Sequence, residues 1–534
     1  MNKFKALFFL LIVSVFSLSG FAQADKSDWA GGYADGCTSI TVGKLASADG
    51  SVITSHTDDS HRTRSWMDVQ PAKDHKTGAT TPMYKRVACD TFAMPTYQHD
   101  VIGQIPQVGH TYKFINTAYP CLNEKQLGIG ESTFGGREEL QSNEGIIDCQ
   151  RLCQLMLERC TTARGAITMA GELINEFGWN DYGECLTIAD KKEVWHLEIV
   201  GPGKGKVGGV WVAQRVPDDH ISCNANASRI MQVDLDDLDY FMASDNIFSL
   251  AKEKGWWNPE QEEFRFAYAY APHSRTSLAS RRREWRIFDL VAPSLKLDAH
   301  TENYPFSVKP DQKVDLEKLV QIFSDYYEGT PYNMVKDITV ADDSGNRVIS
   351  PLANPHMPYD MNKMLRINGG WGWLGERTIA RWYTMYATII QCRDWLPDEV
   401  GGLVWLAQDN VATSIYVPFY GSALDMPVAY KTPGRTNGYT HKSAWWAFNR
   451  LGTLTAQRWG DMRYDVSNVW GPWQKELFEK QAEIEKQAVE LIGKGKEKKA
   501  IQLLNNHSNT WGEKVVDQAW ELGDRLWTKY DEKF

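Results

Sequence analysis

The chain has 534 residues, of which 43% are hydrophobic and 24% are charged, so its composition is that of an ordinary globular protein with a large core. Its formal net charge of -10 at pH 7 argues against nucleic acid and against an anionic membrane surface as partners. Length and composition together leave room for one to three domains.

The chain opens with a segment typical of a secretory signal. Lys3 and Lys5 form a short positive region, residues 6–21 are almost wholly apolar or small, and residues 22–24 read Ala-Gln-Ala, the A-x-A pattern of signal peptidase sites. We therefore expect residues 1–24 to be removed and the protein to be exported, to the periplasm or the extracellular space. No later stretch approaches the ~20 apolar residues that a bilayer span needs, so we expect no membrane span.

Residues 25–36 are polar and glycine-rich, which is typical of a linker or a short propeptide. Beyond them, segments of strand-like alternation are mixed with segments of helical spacing, which favours an α+β protein whose sheets are covered by helices. The C-terminal part is rich in Glu and Lys and predicts a helical hairpin. The predicted elements are a β-hairpin over 38–44 and 51–54, helices within 147–177, strands at 185–188, 194–200 and 209–214, a helix at 376–391, strands at 402–407 and 413–417, and helices at 474–492 and 496–530.

The chain has nine cysteines, an odd number. In an oxidising compartment, these could form up to four disulfides and leave one thiol over, but the pairing cannot be read from the sequence. Cys37 is our candidate for the unpaired thiol.

Cys37 begins the first strand of the predicted hairpin, directly after an Asp-Gly step, and three roles compete for it. A lipid anchor is disfavoured because Lys26, Asp28 and Asp35 separate Cys37 from the apolar core of the signal. A structural thiol or half of a disulfide is the ordinary role of a cysteine at the start of a strand. The third role is a nucleophile exposed by cleavage after Gly36, whose own α-amine, with a pKa of about 7.7–8, would accept the thiol proton.

Short blocks spread over most of residues 37–290 form a specific set, in which Cys-Thr followed by an Asp-Gly-Ser turn is the strongest part. The blocks are 37–44 (CTSITVGK), 46–51 (ASADGS), 128–135 (GIGESTFG), 188–190 (IAD), 193–198 (EVWHLE), 211–219 (WVAQRVPDD) and 224–226 (NAN). Together they resemble the C69, or PepD-type, dipeptidases of the N-terminal nucleophile hydrolases, which are relatives of the choloylglycine hydrolases.

The resemblance implies an αββα sandwich, self-cleavage that exposes Cys37, and hydrolysis of dipeptides without a cofactor or a metal. Together with the sequence patterns above, it divides the chain into a signal peptide at 1–24, a linker or propeptide at 25–36, an N-terminal nucleophile hydrolase domain at 37–470 and a C-terminal helical extension at 471–534. Dipeptides are the partners that it implies. Whether the protein is a monomer or a homo-oligomer is left open by the sequence.

The same resemblance implies roles for two residues at the end of the hairpin. Asp59 aligns with the acid that holds the N-terminal amine, and a carboxylate there would favour the protonated amine. His56 stands where the family commonly has arginine, and it could donate one hydrogen bond but not a bidentate fork. His56 and His61 with Asp58 and Asp59 match no specific zinc spacing, so we expect no metal.

Three further residues are candidates for the site. Asn226 follows the Val-Pro-Asp-Asp block, where the family places an asparagine near the oxyanion, and Asn224 is its rival. The basic run 281–283 corresponds to a segment in which relatives place a catalytic arginine, and we select Arg282. Glu131 is our candidate for binding the ammonium group of the substrate.

The sequence therefore predicts an exported cysteine dipeptidase with Cys37 as nucleophile. One alternative is an N-acyl amide hydrolase of the choloylglycine or penicillin acylase type, because the same catalytic groups serve both and the pocket separates them. The other is a non-catalytic envelope protein that binds ligands through some of its 21 tryptophans. That alternative predicts no processing before Cys37.

Overall fold

The computed structural model describes most of the chain after residue 35. The described residues are 36–60, 63–89, 96–333, 335–355, 377–435 and 438–533. The predicted signal peptide and all but the last residue of the predicted linker lie outside the described residues.

Strands form most of the first half of the structure. In chain order they are β1 (Gly36–Val42), β2 (Val52–Asp59), β3 (Asp68–Gln70), β4 (Lys73–Asp74), β5 (Thr80–Cys89), β6 (Thr96–Pro106), β7 (His110–Thr111), β8 (Phe114–Asn116), β9 (Leu122–Asn123), β10 (Gly128–Gly135), β11 (Gly183–Ala189), β12 (Val194–Val200), β13 (Val210–Arg215), β14 (Ile221–Asn224), β15 (Phe241–Ala243), β16 (Ser307–Val308), β17 (Thr339–Ala341), β18 (Arg347–Ile349), β19 (Thr384–Cys392), β20 (Leu403–Gln408) and β21 (Val417–Tyr420).

Helices lie between the strands and make up nearly all of the C-terminal part. They are α1 (Cys149–Arg159), α2 (Ala163–Phe177), α3 (Ile247–Glu253), α4 (Phe266–Tyr270), α5 (Leu278–Val291), α6 (Leu316–Phe323), α7 (Asp398–Gly401), α8 (Val428–Lys431), α9 (Ala444–Gln457), α10 (Trp459–Gly493) and α11 (Glu497–Tyr530). Single 3₁₀ turns occur at Glu138–Leu140, Pro272–Arg275, Pro293–Leu295 and Val411–Thr413.

Two large antiparallel sheets carry the architecture. The first is seven-stranded, in the order β16-β14-β1-β2-β19-β20-β21, and the second is eight-stranded, in the order β15-β13-β12-β11-β10-β9-β8-β3. The strands β1 and β2 of the first sheet contact β10 of the second. Smaller ribbons pair β4 with β7, β5 with β6, and β17 with β18. The mixed α and β composition that the sequence predicts is confirmed.

The two sheets approach each other closely between β2 and β10. A Cβ atom at Gly130 would collide with the carbonyl oxygen of Ser55, and one at Gly128 would lie 2.8 Å from a methyl group of Ile390. The hydroxyl groups of Thr54 and Thr187 share a hydrogen bond of 2.7 Å across the gap. Glycines and small hydroxyl side chains therefore set the spacing of the sheets.

Helices α1 and α2 cover the second sheet, and the sequence specifies where each begins. Asp148 accepts a hydrogen bond from the backbone N–H of Arg151, and Thr162 accepts one from that of Gly165, so both helices have a side-chain N-cap. Their apolar side chains form one buried cluster with those of the second sheet, Ile129 among them. The predicted helical region at 147–177 is confirmed as these two helices.

The C-terminal helices pack on one another and on the edge strand β21 of the first sheet. Arg393, which follows β19, forms a bidentate ion pair of 2.7–2.8 Å with Glu485 of α10. The hydroxyl group of Tyr420 also donates to Glu485, at 3.1 Å. The predicted C-terminal helical hairpin is confirmed, although its first helix begins at Trp459, before the expected residue 474.

Two predicted elements are wrong. The described part of the predicted helix at 376–391 contains instead the strand β19, which is buried at every position. A strand covered on both faces can lack the alternation that distinguishes it from a buried helix, and β19 does lack it, so the periodicity of its residues could not decide between the two. In the predicted strand at 413–417, Thr413 ends the 3₁₀ turn, residues 414–416 form no strand, and β21 begins only at Val417.

The described cysteines form no disulfide, since Cys37 and the seven others whose side chains the structure describes are all free thiols. Among the described helices, none combines the length and the apolar character that a bilayer span requires.

We predict that Gly130→Ala lowers the free energy of unfolding by about 1–3 kcal/mol, because the added methyl group forces β10 away from Ser55. Gly109→Ala is the matched control, since nothing lies within 4 Å of the added atom, and we expect a change of less than about 1 kcal/mol. Denaturant unfolding measures both. Equal stability of the two variants would contradict tight sheet packing at Gly130.

Candidate active site

Cys37 is the second residue of β1, in register with Asp58 of β2. Its side chain is 4% exposed, and its thiol donates a hydrogen bond of 3.0 Å to Oε2 of Glu131. Burial, followed by the negative charges of Glu131, Asp58 and Asp59, raises the pKa of this thiol well above its usual range. The thiol is therefore neutral until a base takes its proton.

The Glu131 carboxylate lies between the thiol and an imidazole. His56 Nε2 is 3.2 Å from the carboxylate oxygen Oε2 that the thiol contacts, and Thr133 donates to the other oxygen at 2.9 Å. Burial is the largest influence and opposes ionisation of Glu131, but hydrogen bonds from His56, Glu184 and Cys37, together with the charge of His56, outweigh it and lower the pKa of Glu131. The His56 ring also packs edge-on against Tyr119. Glu131 is thus a buried anion with polar neighbours.

Asp59 lies opposite Gly36 in the β1–β2 pair. Its carboxylate is fully buried, forms an ion pair with the guanidinium group of Arg377 and accepts a hydrogen bond of 2.7 Å from Thr384. A Cβ atom at Gly36 would collide with the same guanidinium group. Asp59 and Arg377 therefore place two opposite charges beside the peptide bond that precedes Cys37.

Asn226 holds the backbone of Cys37. Its Oδ1 accepts a hydrogen bond of 3.1 Å from the Cys37 N–H and one of 2.8 Å from Arg283, and its Nδ2 donates to the Thr133 carbonyl at 2.7 Å. Asn226 has a φ of 59°, a left-handed conformation that asparagine tolerates better than most residues. The rival Asn224 instead bonds to the Ala227 carbonyl.

Arg283, rather than Arg282, reaches the site from helix α5. Its guanidinium group donates to the Cys37 carbonyl at 2.6 Å and to the Thr38 hydroxyl at 2.9 Å. Arg282 turns away, donates to the Ala299 carbonyl and lies 3.5 Å above the ring of Tyr332. Consecutive helix residues point about 100° apart, so only one arginine of the run can face Cys37.

A cavity of about 510 Å³ opens beside Cys37. Its described walls include carboxylates of Asp58, Asp148, Asp181 and Glu184, together with polar side chains such as Thr133, Asn180 and Tyr182 and one lysine, Lys85. The Glu131 side chain is not part of this wall, because it lies behind the thiol and is fully buried. The structure thus brings together Cys37, His56, Asp59, Glu131 and Asn226, and separates Arg282 from them.

The comparison with known proteins agrees with this geometry. The model of peptidase family C69 matches residues 36–471 of the chain. The chain belongs to peptidase family C69. The resemblance seen in the sequence is thus confirmed, and the protein is a peptidase, which is the enzyme class that the sequence predicts.

Relatives of this C69 peptidase carry dipeptidase names. A "Probable dipeptidase" of Latilactobacillus sakei is 24% identical, over 79% of this chain and 82% of its own length. "Dipeptidase A" of Lactobacillus helveticus is 23% identical, over 93% of this chain and 98% of its own length. A "Probable dipeptidase B" of Streptococcus pyogenes serotype M1 is also 23% identical, with 85% and 83% covered.

Two side-chain sets of the C69 peptidase could offer ligands to a metal ion. Cys37, His56 and Glu131 form one set, and Glu131, Cys149 and Glu184 the other, each with its ligand atoms within 4.8 Å of one another. Thiolate, imidazole and carboxylate are groups that bind zinc. Our expectation that the enzyme needs no metal or other cofactor stays a prediction.

Sequence reasoning missed three groups at this site. Arg283 belongs to the run in which we selected Arg282, and the sequence contains no signal that decides between neighbours. Arg377 follows Asp59 by 318 residues and lies in no recognised motif. Glu184 precedes the predicted strand at 185–188 and was not singled out. Their roles depend on contacts that form only in the folded chain.

We predict that Arg283→Lys lowers the kcat/KM for peptide hydrolysis about tenfold or more, a loss of ~1.4 kcal/mol, because one ammonium group cannot hold both Asn226 and the Cys37 carbonyl. Arg282→Lys is the matched control on the same helix, and we expect its kcat/KM to stay within roughly twofold of wild type. Steady-state kinetics and melting temperatures check this. Equal activity losses in both variants would show that the helix, not the guanidinium contact, matters.

Proposed function

We propose that this C69 peptidase is a cysteine dipeptidase whose nucleophile is the Cys37 thiol. The observation that carries the proposal is the position of this thiol, at the wall of a cavity and 3.0 Å from the Glu131 carboxylate. The dipeptidase names of relatives that cover most of this chain support a dipeptide as the substrate.

The proposed fold is the αββα sandwich of N-terminal nucleophile hydrolases. The contacts of β1 and β2 with β10, and the packing of α1 and α2 with one sheet and of α9–α11 with the other, support it. Cleavage after Gly36 would make Cys37 the first residue of β1 and would place the new chain terminus at the cavity, since both residues line it.

In the proposed maturation, Cys37 cuts the bond that precedes it. Its sulfur attacks the carbonyl carbon of Gly36, the C–N bond to Cys37 breaks, and the nitrogen leaves as an amine that carries the thiol proton. Water then hydrolyses the thioester and releases the preceding segment with a carboxylate at Gly36. The absence of a side chain at Gly36 supports this site, because a Cβ atom there would displace the guanidinium group of Arg377, which pairs with Asp59.

The free amine then serves as the base. It accepts the thiol proton, the thiolate attacks the scissile carbonyl carbon, the amine returns the proton to the departing amino acid, and water hydrolyses the thioester. The contact of Asn226 Oδ1 with the Cys37 nitrogen supports a role in holding the amine. We assign its Nδ2, which lies at the Thr133 carbonyl, to the oxyanion, a contact worth ~10²–10³ in rate.

The charges around the new terminus have separate roles in this proposal. Asp59 orients the amine, and its ion pair with Arg377 keeps the carboxylate in place. His56 contacts Glu131 and not the thiol, so we assign it a positioning role through Glu131. Arg283 takes the role that we expected for Arg282, because it contacts the Cys37 carbonyl.

The cavity favours charged substrates over N-acyl amides. An acyl chain gains binding energy from apolar walls, whereas the described wall carries the carboxylates of Asp58, Asp148, Asp181 and Glu184. Membership of a peptidase family argues against the non-catalytic envelope protein. Export of the enzyme, which rests on residues 1–24, remains part of the proposal.

We predict that the full chain matures to a protein that begins at Cys37, as intact-mass analysis would measure. Cys37→Ala should retain residues 25–36, because the attacking sulfur is missing. Cys160→Ala is the control, since this half-buried thiol bonds to Met169 and should not affect processing. An active wild-type protein that still carries residues 25–36 would refute the proposed maturation.

We also predict that unblocked dipeptides are hydrolysed faster than their N-acetyl forms. Acetylation removes the charge of the substrate amine and leaves a carboxylate of the cavity unpaired, so kcat/KM should fall about tenfold for each ~1.4 kcal/mol lost. The assay compares one dipeptide with its N-acetyl derivative. Equal kcat/KM values would argue for the acylase alternative.

A further inference from the structure

We infer that the cavity beside Cys37 holds a zwitterionic dipeptide by both ends, with Glu184 binding the α-ammonium group and Lys85 binding the α-carboxylate. Both side chains belong to the described wall of the cavity that contains the thiol. The inference rests on the proposed dipeptidase function and assigns the residues that would restrict the substrate to two amino acids.

Glu184 has one carboxylate oxygen that lacks a partner. Its Oε1 lies 2.8 Å from the Thr133 hydroxyl, whose single proton is shared between Glu184 and Glu131, whereas its Oε2 is buried and accepts no hydrogen bond from the described residues. The residue is 2% exposed and is the second residue of β11, at the cavity wall. A buried acceptor without a partner is costly, and an ammonium group entering the cavity would supply the missing donors.

The other acids of the site are already engaged. Asp148 accepts the N–H of Arg151, and Asp181 accepts the N–H of Cys149, so both carboxylates cap the start of helix α1. Glu131, our candidate from sequence, accepts from the Cys37 thiol and from Thr133 and lies outside the cavity wall. Of these three acids and Glu184, Glu184 is thus the one with a buried carboxylate oxygen that accepts no hydrogen bond from the described residues.

The electrostatic surroundings of Glu184 also suit a cation. Burial, followed by the negative charge of Glu131 and a side-chain hydrogen bond between the two carboxyl groups, raises the pKa of Glu184 well above its usual range, and Asp181 adds to this rise. The Cys149 sulfur is a further neighbour, within 4.8 Å of the Glu184 carboxylate. A carboxylate in such surroundings gains much from a positive charge, because the ammonium group takes the place of the proton.

Lys85 supplies the opposite charge. It is the single basic side chain of the described cavity wall, and it is exposed on β5. Its ammonium group makes one weak contact, 3.4 Å long, with Asn180 Oδ1. A carboxylate would be a stronger partner than this amide oxygen, because an ion pair adds charge to the hydrogen bond.

Binding both charged ends of the substrate would restrict its length. Each additional residue moves a peptide's terminal carboxylate by about 3.3–3.6 Å, which is beyond the reach of one hydrogen bond. A tripeptide bound through its ammonium group at Glu184 would therefore lose the contact with Lys85. An amidated dipeptide would lose its charge instead.

The first experiment tests the ammonium subsite with the matured enzyme. Two substrates are compared. One is the unblocked dipeptide that the wild-type enzyme cleaves fastest among a panel of dipeptides, and the other is the N-acetyl derivative of that dipeptide. We expect Glu184→Gln to lower kcat/KM for the free dipeptide about tenfold or more. In this variant, kcat/KM for the free dipeptide should no longer exceed kcat/KM for the N-acetyl form. Glu176→Gln, on the exposed side of α2, is the control and should retain the preference. An unchanged preference in Glu184→Gln would overturn the assignment.

The second experiment tests the carboxylate subsite with the same dipeptide, its C-terminal amide and its C-terminal aminoethylamide, which carries a positive charge. We expect Lys85→Ala to remove the preference for the free acid over the amide, while the exposed Lys76→Ala retains it. Lys85→Glu should reverse it and favour the aminoethylamide. Wild-type ratios in both Lys85 variants would overturn the role of Lys85.

Different results would refute the proposed dipeptidase function and the assignment of Glu184 and Lys85. If matured wild type cleaves no dipeptide of the panel, the proposed function itself is wrong. If it cleaves them but the variants keep wild-type preferences, only the assignment of Glu184 and Lys85 is wrong. The intact mass of Glu184→Gln shows whether this variant matures. If it does not, Glu184→Asp is tested instead, since it keeps the charge but moves it back by one methylene group, and we expect a reduced preference for the free amine. A wild-type preference in Glu184→Asp would contradict the proposal.

Discussion

The close packing of the two sheets between β2 and β10 is the constraint on which the site depends. Gly130 lies so near the Ser55 carbonyl that no side chain fits, and the Thr54 and Thr187 hydroxyl groups bond across the same gap. At this spacing Glu131, the next residue of β10, comes within hydrogen-bond distance of the thiol on β1. Larger side chains at these positions would separate the thiol from its carboxylate.

The second consequence of this packing is a concentration of buried charge. Burial, followed by the carboxylates of Glu131, Asp58 and Asp59, raises the pKa of the Cys37 thiol, which keeps the thiol protonated. Two buried arginines compensate, Arg377 by an ion pair and Arg283 through neutral acceptors of the Cys37 backbone. A buried network of this kind is costly to assemble, which is common at sites where charge serves chemistry and not stability.

Much of the local structure was predictable because short sequence patterns specify it. The β1–β2 hairpin follows from alternation around an Asp-Gly turn, and α1 and α2 follow from helical spacing behind Asp148 and Thr162. The strand β19 was not predictable, because its sequence, Thr-Met-Tyr-Ala-Thr-Ile-Ile-Gln-Cys, lacks a regular alternation of apolar and polar residues. The strand β1 is equally buried but alternates around Ile40 and Val42. The sequence also did not show that Arg283, and not Arg282, contacts Cys37. Adjacent residues of a helix point in different directions, and only the packing of the helix decides which of them faces the site.

The sequence by itself determined the local elements, the family blocks and the importance of Cys37, since these depend on residues near one another in the chain. Only the tertiary structure decided which distant groups meet at the thiol. Arg377 pairs with Asp59, although 318 residues separate them in the chain. Thr133 contacts only one carboxylate oxygen of Glu184, and the other oxygen accepts no hydrogen bond from the described residues. Such contacts depend on how sheets and helices pack, and packing over long separations has no signature in the order of the residues.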